Sequence, residues 1–143
     1  MGTAMMQRLP KWRGRFEAVI DELKAKPFSW GDHDCGPGLV GNVVNAITGE
    51  DPAKPYRGKY FDAKGALRII KRKGFDNLGD LVASMLPEIH PSQAKIGDIG
   101  AIKMDSPFGY ALGVVNGERV FVLMEDGIGT VDLLQCERAF KVG

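Results

Sequence analysis

Cys35 is the residue of this sequence that is best placed for chemistry. It follows the turn-rich stretch Ser29 to Asp34 and precedes an apolar run that predicts a helix. A cysteine in the first turn of a helix lies near unpaired backbone amides and the positive end of the helix dipole, which lower a thiol pKa below about 8.5. Cys35 is therefore the candidate nucleophile. The alternative is a small buried hydrophobic residue, the commoner role of a lone cysteine before an apolar helix.

A nucleophilic thiol needs a general base, and the sequence contains two histidines, His33 and His90. His33 lies two residues before Cys35 and is a candidate base, provided that a sharp turn brings its ring to the thiol. Its alternative role is that of a turn residue or a cap for the following helix. His90 lies beside Pro91 in a connecting segment, which favours an exposed loop residue.

The two cysteines, Cys35 and Cys136, do not show the paired spacing that is typical of zinc ligands. We therefore predict no metal and no cofactor. Their different local contexts and a reducing compartment also argue against a disulfide, so we treat them as separate thiols.

Length and composition favour an ordinary globular chain. The 143 residues, 44% apolar and 26% charged, predict a single domain over residues 1–143, with residues 1–7 as a loosely ordered N-terminus. A net charge of +1 argues against nucleic acid as a partner, and the run Lys71 to Lys73 is interpreted as a solvated helix end. The absence of a long apolar stretch predicts no membrane span, and hence synthesis in a cytoplasm.

The first half of the chain has helical periodicity. Apolar residues recur at three and four positions from Arg8 to Leu23 and again from Leu39 to Ile47, and Gly49 is a natural stop. Glu50 to Tyr60 contains two prolines and predicts an ordered loop held by Tyr56, Tyr60 and Phe61. Asp62 is a plausible N-cap of a third helix that ends at Gly74. A shorter helix is predicted from Leu78 to Leu86.

The second half predicts short strands separated by Gly, Asn or Asp turns. Their predicted bounds are Ile99–Met104, Tyr110–Val115, Arg119–Leu123 and Gly129–Leu133. Asn116 and Gly117 indicate a hairpin between the second and third strands. Helices followed by a small antiparallel sheet predict an α+β fold.

The residues around Cys35 resemble a known catalytic motif. In order they are Asp34, Cys35, Gly36, Pro37, Gly38, Leu39 and Val40. The segment resembles the start of the catalytic helix in NlpC-type cell-wall peptidases, a branch of the papain-like cysteine hydrolases, with one extra residue and a proline. The later run Lys95 to Ile99 resembles the entry into the sheet of that family. The resemblance implies a papain-like α+β domain with Cys35 as its nucleophile.

The same resemblance implies a histidine on the next strand, directly before an aliphatic and glycine run. In this chain that run is Leu112 to Val115, and the residue before it is Ala111, which cannot accept a proton. The mechanism of the family therefore does not transfer intact. If the chain is an enzyme, His33 or a carboxylate has to act as the base, and Asp98 is a candidate for orienting it.

A second resemblance covers nearly the whole chain. The residues that carry it are Phe28, Trp30, Gly31, Asp34, Cys35, Thr48, Gly49, Asp51, Pro52, Arg57, Gly58, Tyr60, Gly65, Ala66, Gly97, Asp98, Ala111, Leu112, Gly113, Val114 and the segment from Gly127 to Phe140. They are similar to a family of small proteins from tailed bacteriophages and prophages. Alanine is the usual residue at the position of Ala111 in that family, so the resemblance implies that the loss of the catalytic histidine is inherited.

The phage resemblance implies a structural component of the tail tip or baseplate that is located in the virion and catalytically inactive. Its expected partners are the hub and distal tail proteins. One alternative is an active cysteine amidase or endopeptidase that cleaves peptidoglycan stem peptides during phage entry. Another alternative is a chaperone or adaptor needed only during tail assembly. The structural role predicts apolar or aromatic surface near Tyr56 to Phe61 and Pro107 to Tyr110.

Overall fold

The computed structural model describes residues 6–124 and 126–143. Its described residues form an α+β fold, as the sequence predicts. The α-helices are α1 (Trp12–Lys24), α2 (Asn42–Thr48), α3 (Ala63–Arg72) and α4 (Leu78–Ala83), and a π-helical segment, Cys35–Gly41, leads directly into α2. The strands are β1 (Glu88–Ile89), β2 (Ile99–Lys103), β3 (Tyr110–Asn116), β4 (Arg119–Met124), β5 (Gly127–Asp132) and β6 (Cys136–Phe140). No helix in these two described ranges is both long enough and apolar enough to cross a membrane.

The sheet has the order β1-β6-β2-β3-β4-β5, and every neighbouring pair is antiparallel. Strands β2 to β5 follow one another, with the predicted hairpin between β3 and β4, where Asn116 pairs with Arg119. The sequence did not predict β1 and β6. Because β6 returns between β1 and β2, the sheet is larger than the predicted meander.

The main core lies between the helices and one face of the sheet. Helix α1 contributes Phe16, Ile20 and Leu23, α2 contributes residues such as Val43 and Ile47, and the sheet adds apolar side chains from β2, β3 and β6. A second cluster, which includes Val120 and Cys136, lies around other sheet residues. The two cysteines are free and belong to different clusters, which confirms that they are separate thiols.

Helix α1 begins four residues later than the predicted start at Arg8. Lys11 adopts a left-handed conformation with φ 62°, so the regular helix begins after it. Arg8 lies before the helix, and its side chain donates to Asp98 and to the carbonyls of Ile96 and Val142. The predicted loose N-terminus, residues 1–7, lies largely outside the described residues, although Met6 packs against the core.

The π-helical segment has a local cause. Pro37 has no N–H, and the N–H of Gly38 donates to the side chain of Asp34. The main-chain hydrogen bond that follows runs from Leu39 N to the carbonyl of Asp34, five residues earlier, which is the spacing of a π-helix. Arg57 braces the segment by donating to the carbonyl of Pro37 at 2.9 Å. The predicted stop is confirmed, because Gly49 closes α2 with φ 83°.

The loop predicted over Glu50–Tyr60 contains turns and no regular helix or strand. Tyr60 is buried, but Phe61 is 86% exposed, so the expectation that Phe61 holds the loop was wrong. The predicted N-cap is confirmed, since the carboxylate of Asp62 accepts from Gly65 N at 2.7 Å and α3 begins at the next residue. Helix α4 is shorter than predicted and ends at Ala83.

Candidate functional site

A cavity of about 230 Å³ opens beside Cys35, and we call it the Cys35 cavity. One wall is the π-helical segment, and the opposite walls come from α3, α4, β3 and the loop between β2 and β3. Aliphatic side chains fill most of its lining. Six aromatic residues also line it: Phe28, Trp30, Tyr56, Tyr60, Phe108 and Tyr110.

Trp30 is the centre of the aromatic part of the cavity wall. Its ring stacks on Phe108 with a centroid distance of 6.1 Å and meets the edge of Phe28 at 5.0 Å. Tyr60 packs against the same indole at 6.4 Å. These contacts fix the ring in place by mutual packing, and the residual exposure of Phe28, Trp30 and Phe108 leaves the cavity open to solvent.

Cys35 is the first residue of the π-helical segment and lines the cavity. The residue is partly exposed and faces the cavity. Burial raises the pKa of the Cys35 thiol from 9.0 to about 11, and the neighbouring Asp34 carboxylate acts in the same direction. A hydrogen bond from the main chain of Leu112 lowers the pKa of the thiol, but the effect of burial is larger. The expectation that a helix start lowers this pKa was wrong, because desolvation dominates.

Ala111 lines the same cavity as Cys35. It lies on β3, where it pairs with Ile102 of β2, and it directly precedes Leu112, whose main chain reaches the thiol. The structure therefore brings together the candidate nucleophile and the residue at which the resemblance implies a base. A methyl group occupies this position, so the side chain there takes no part in proton transfer.

His33 is buried, with 2% of its surface exposed, and it does not line the cavity. Neither ring nitrogen forms a hydrogen bond within the described part of the chain, so none links the imidazole to the Cys35 sulfur. Burial lowers the pKa of His33, as does Lys26, while the charges of Asp32 and Asp34 act in the opposite direction. The structure thus shows no hydrogen bond by which His33 could take the proton of the Cys35 thiol. Its alternative role as a helix cap is filled by Asp34 instead.

Asp98 is buried at the start of β2 and does not line the cavity. Its carboxylate accepts from Lys95 N at 2.8 Å, Val142 N at 2.9 Å and Arg8 Nη2 at 3.0 Å. This set of donors ties the N-terminal segment to the C-terminal residues that follow β6, which is a structural role. His90 is exposed and accepts from Ser92 N at 3.1 Å as the cap of a short 3₁₀ turn.

Asp34 and Tyr60 form a buried pair that the sequence did not predict. The hydroxyl of Tyr60 donates to Asp34 Oδ2, which also accepts from Gly31 N at 3.0 Å, while Oδ1 accepts from Gly38 N at 3.3 Å. Burial and the carboxylate raise the pKa of Tyr60, so its hydroxyl stays protonated and acts as a donor. The pair fixes the turn that precedes Cys35. No charged group bonds to this carboxylate within the described residues.

The lining of the cavity determines what the site can do chemically. Within the described ranges, no group of His, Cys, Asp or Glu side chains is arranged to hold a metal ion. The raised pKa of the thiol favours its protonated form at neutral pH, and no described imidazole forms a hydrogen bond to it. The arrangement is suited to holding an uncharged apolar group, and the described lining contains no histidine and one carboxylate, Asp34.

The family model described as "Domain of unknown function (DUF6950)" matches residues 7–142. The chain belongs to this family. Among solved structures, it is similar to one titled "Crystal structure of NlpC/p60 domain of peptidoglycan hydrolase SagA", with a TM-score of 0.54 and 17% identity over 90% of this chain and 97% of that one. No curated protein matches the chain in sequence. At this identity the similarity shows the fold alone, which confirms the predicted NlpC-type, papain-like architecture for this DUF6950 member.

Proposed function

We propose that this chain is a non-catalytic component of a bacteriophage tail tip or baseplate, built on an NlpC-type fold. The observation that carries the proposal is that Cys35 and Ala111 line the same apolar cavity, with no histidine in its described lining and no hydrogen bond from the His33 imidazole to the thiol. A cysteine hydrolase needs a thiolate and a free proton acceptor close together. Here the thiol pKa is raised, and the carboxylate that lines the cavity, Asp34, already accepts hydrogen bonds from two backbone amides and from the Tyr60 hydroxyl.

The raised thiol pKa supports the absence of catalysis. Because burial raises the pKa of Cys35 to about 11, less thiolate is present at neutral pH than in an ordinary cysteine. The apolar lining also offers few groups that could orient a polar stem peptide or stabilise an oxyanion, which acyl transfer requires.

The phage assignment rests on the sequence resemblance, which covers nearly the whole chain. It makes the hub and distal tail proteins the proposed partners and the virion the proposed location. Aromatic surface is available for such contacts, since Phe61 is 86% exposed and the half-buried Phe108 lies at the cavity. Immunogold labelling of tailed particles from a prophage that encodes the chain tests this location. Label at the tail tip supports the proposal, whereas labelled protein recovered only from particle-free lysate favours the assembly chaperone.

The second candidate is an active amidase or endopeptidase on peptidoglycan. One observation favours it, namely that Cys35 faces an open cavity instead of being sealed in the core. Such an enzyme requires its base from a carboxylate of the chain such as Asp34, which lines the cavity, from the substrate or from another protein.

Digestion of purified peptidoglycan separates the two candidates. The wild type, Cys35→Ala and an active NlpC/p60 hydrolase are incubated with the same substrate, and released muropeptides are measured by mass spectrometry. We expect no release by the wild type beyond the Cys35→Ala background. Release by the wild type that disappears in Cys35→Ala contradicts the non-catalytic proposal.

A further inference from the structure

The segment from Lys54 to Lys73 carries a strong local charge. It contains eight Lys or Arg residues and one acid, Asp62, a net charge of +7 within a chain of net charge +1. We define the basic face as six exposed members of this segment: Lys59, Lys64, Arg68, Lys71, Arg72 and Lys73. None of the six forms an ion pair with any described residue. Unneutralised cations at this density attract an anionic partner.

The basic face and the Cys35 cavity share helix α3. Its inner side places Ala66, Ile69 and Ile70 in the cavity wall, and its outer side carries part of the basic face. Lys73 marks the junction, because its Nζ lies 5.8 Å above the ring of Tyr56, which also lines the cavity. A ligand that enters the cavity past Tyr56 therefore passes close to the positive charge of Lys73.

The cavity sets the size and polarity of the group that it accepts. Its volume of about 230 Å³ exceeds the ~150 Å³ of an engineered apolar cavity that binds benzene, so a bicyclic ring fits. The protonated thiol adds no charge, and the ring faces around Trp30 suit edge and offset stacking with another aromatic group.

We propose that the Cys35 cavity and the basic face together bind an acidic peptide segment of a protein partner, with one aromatic side chain of that segment anchored in the cavity. This inference rests on the proposed non-catalytic role, since a hydrolase would cleave a peptide held there. Nucleic acid fits less well, because the polar edges of a base need hydrogen-bond partners and the lining is almost wholly apolar.

The test uses the full-length chain and a fluorescein-labelled peptide of nine residues, with one central tryptophan among glutamates and aspartates. Fluorescence anisotropy measures the Kd. We expect micromolar binding, which weakens by roughly tenfold or more when alanine replaces the peptide's tryptophan. This comparison uses the wild-type protein and does not depend on how any variant folds.

Two variants locate the site. Ala111→Leu fills part of the cavity and is expected to weaken binding by roughly tenfold, as an anchor pocket requires. Reversal of three charges on α3 (Lys64→Glu, Arg68→Glu and Lys71→Glu) is expected to weaken binding and flatten its salt dependence. The matched control reverses three exposed lysines outside the segment (Lys11→Glu, Lys95→Glu and Lys141→Glu) and leaves the Kd within about twofold.

Three results overturn the inference. They are no binding of the acidic peptide up to about 1 mM, binding that is unchanged without the peptide's tryptophan, and tighter binding of a single-stranded oligonucleotide or of anionic lipid vesicles at equal salt. Mass spectrometry of the same samples tests the proposed function separately. Cleaved peptide that depends on Cys35 refutes the non-catalytic role, whereas intact, unbound peptide refutes only the docking site.

Discussion

Replacing Tyr60 with phenylalanine tests the buried network that holds the turn before Cys35. The hydroxyl of Tyr60 is one of three donors to the Asp34 carboxylate, which is 2% exposed and has no cation bonded to it in the described structure. A hydrogen bond to a charged group contributes about 1.5–3 kcal/mol, and its loss leaves a buried carboxylate oxygen short of a donor. We therefore expect Tyr60→Phe to lower the free energy of unfolding by about 2 kcal/mol.

For a chain of this length, about 2 kcal/mol corresponds to a fall in Tm of roughly 6–8 °C. Urea unfolding at pH 7, followed by circular dichroism, measures the free energy directly, and a thermal scan gives the Tm. The matched control is Tyr56→Phe, because Tyr56 lines the same cavity and its hydroxyl makes no hydrogen bond to a described residue. We expect the control to change the free energy by less than about 0.5 kcal/mol. Equal effects of the two substitutions would refute the role of the Asp34–Tyr60 pair.

Two further substitutions test local features of the same region. Gly31 has φ +83° and its added Cβ would collide with the Tyr60 carbonyl, whereas Gly58 has φ +74° and open space. We expect Gly58→Ala to lower the free energy of unfolding in urea by ~1–2 kcal/mol and Gly31→Ala to lower it by more. Equal losses in the two variants would contradict the predicted collision at Gly31. His33 has a lowered pKa, so the unfolded chain binds more protons, and stability should fall as the pH drops below about 6.5. We expect His33→Leu to reduce this loss of unfolding free energy between pH 7 and pH 5, and the control His90→Gln to leave it unchanged. If the loss is the same in His33→Leu as in the wild type, His33 is not its cause.

The sequence predicted the α+β class and most elements because periodicity, prolines and glycines are local signals. Helix α3 is an example, since Asp62 caps it as expected and its apolar stripe faces inward. Strand β6 was not predicted because Glu137 and Arg138 interrupt its apolar pattern, and its pairing between β1 and β2 is decided by contacts distant in sequence.

The candidate site was predictable only in part. Cys35 at a helix start and Ala111 in place of a base follow from short motifs, and the structure places both at one cavity. The Asp34–Tyr60 pair spans 26 residues, so only the folded chain reveals it. The rule that a helix start lowers a thiol pKa uses local geometry alone and omits the desolvation that several distant segments impose on Cys35.

The rate of alkylation of Cys35 as a function of pH tests the central claim most directly. Iodoacetamide labelling between pH 6 and pH 10, with peptide mass spectrometry, compares Cys35 with an ordinary model thiol. Because burial raises the pKa of Cys35 to about 11, we predict slow labelling at neutral pH and a rate that still rises tenfold per pH unit at pH 10. Fast labelling of Cys35 that reaches its plateau below pH 8 would contradict the account, because a stabilised thiolate would then be present in the cavity.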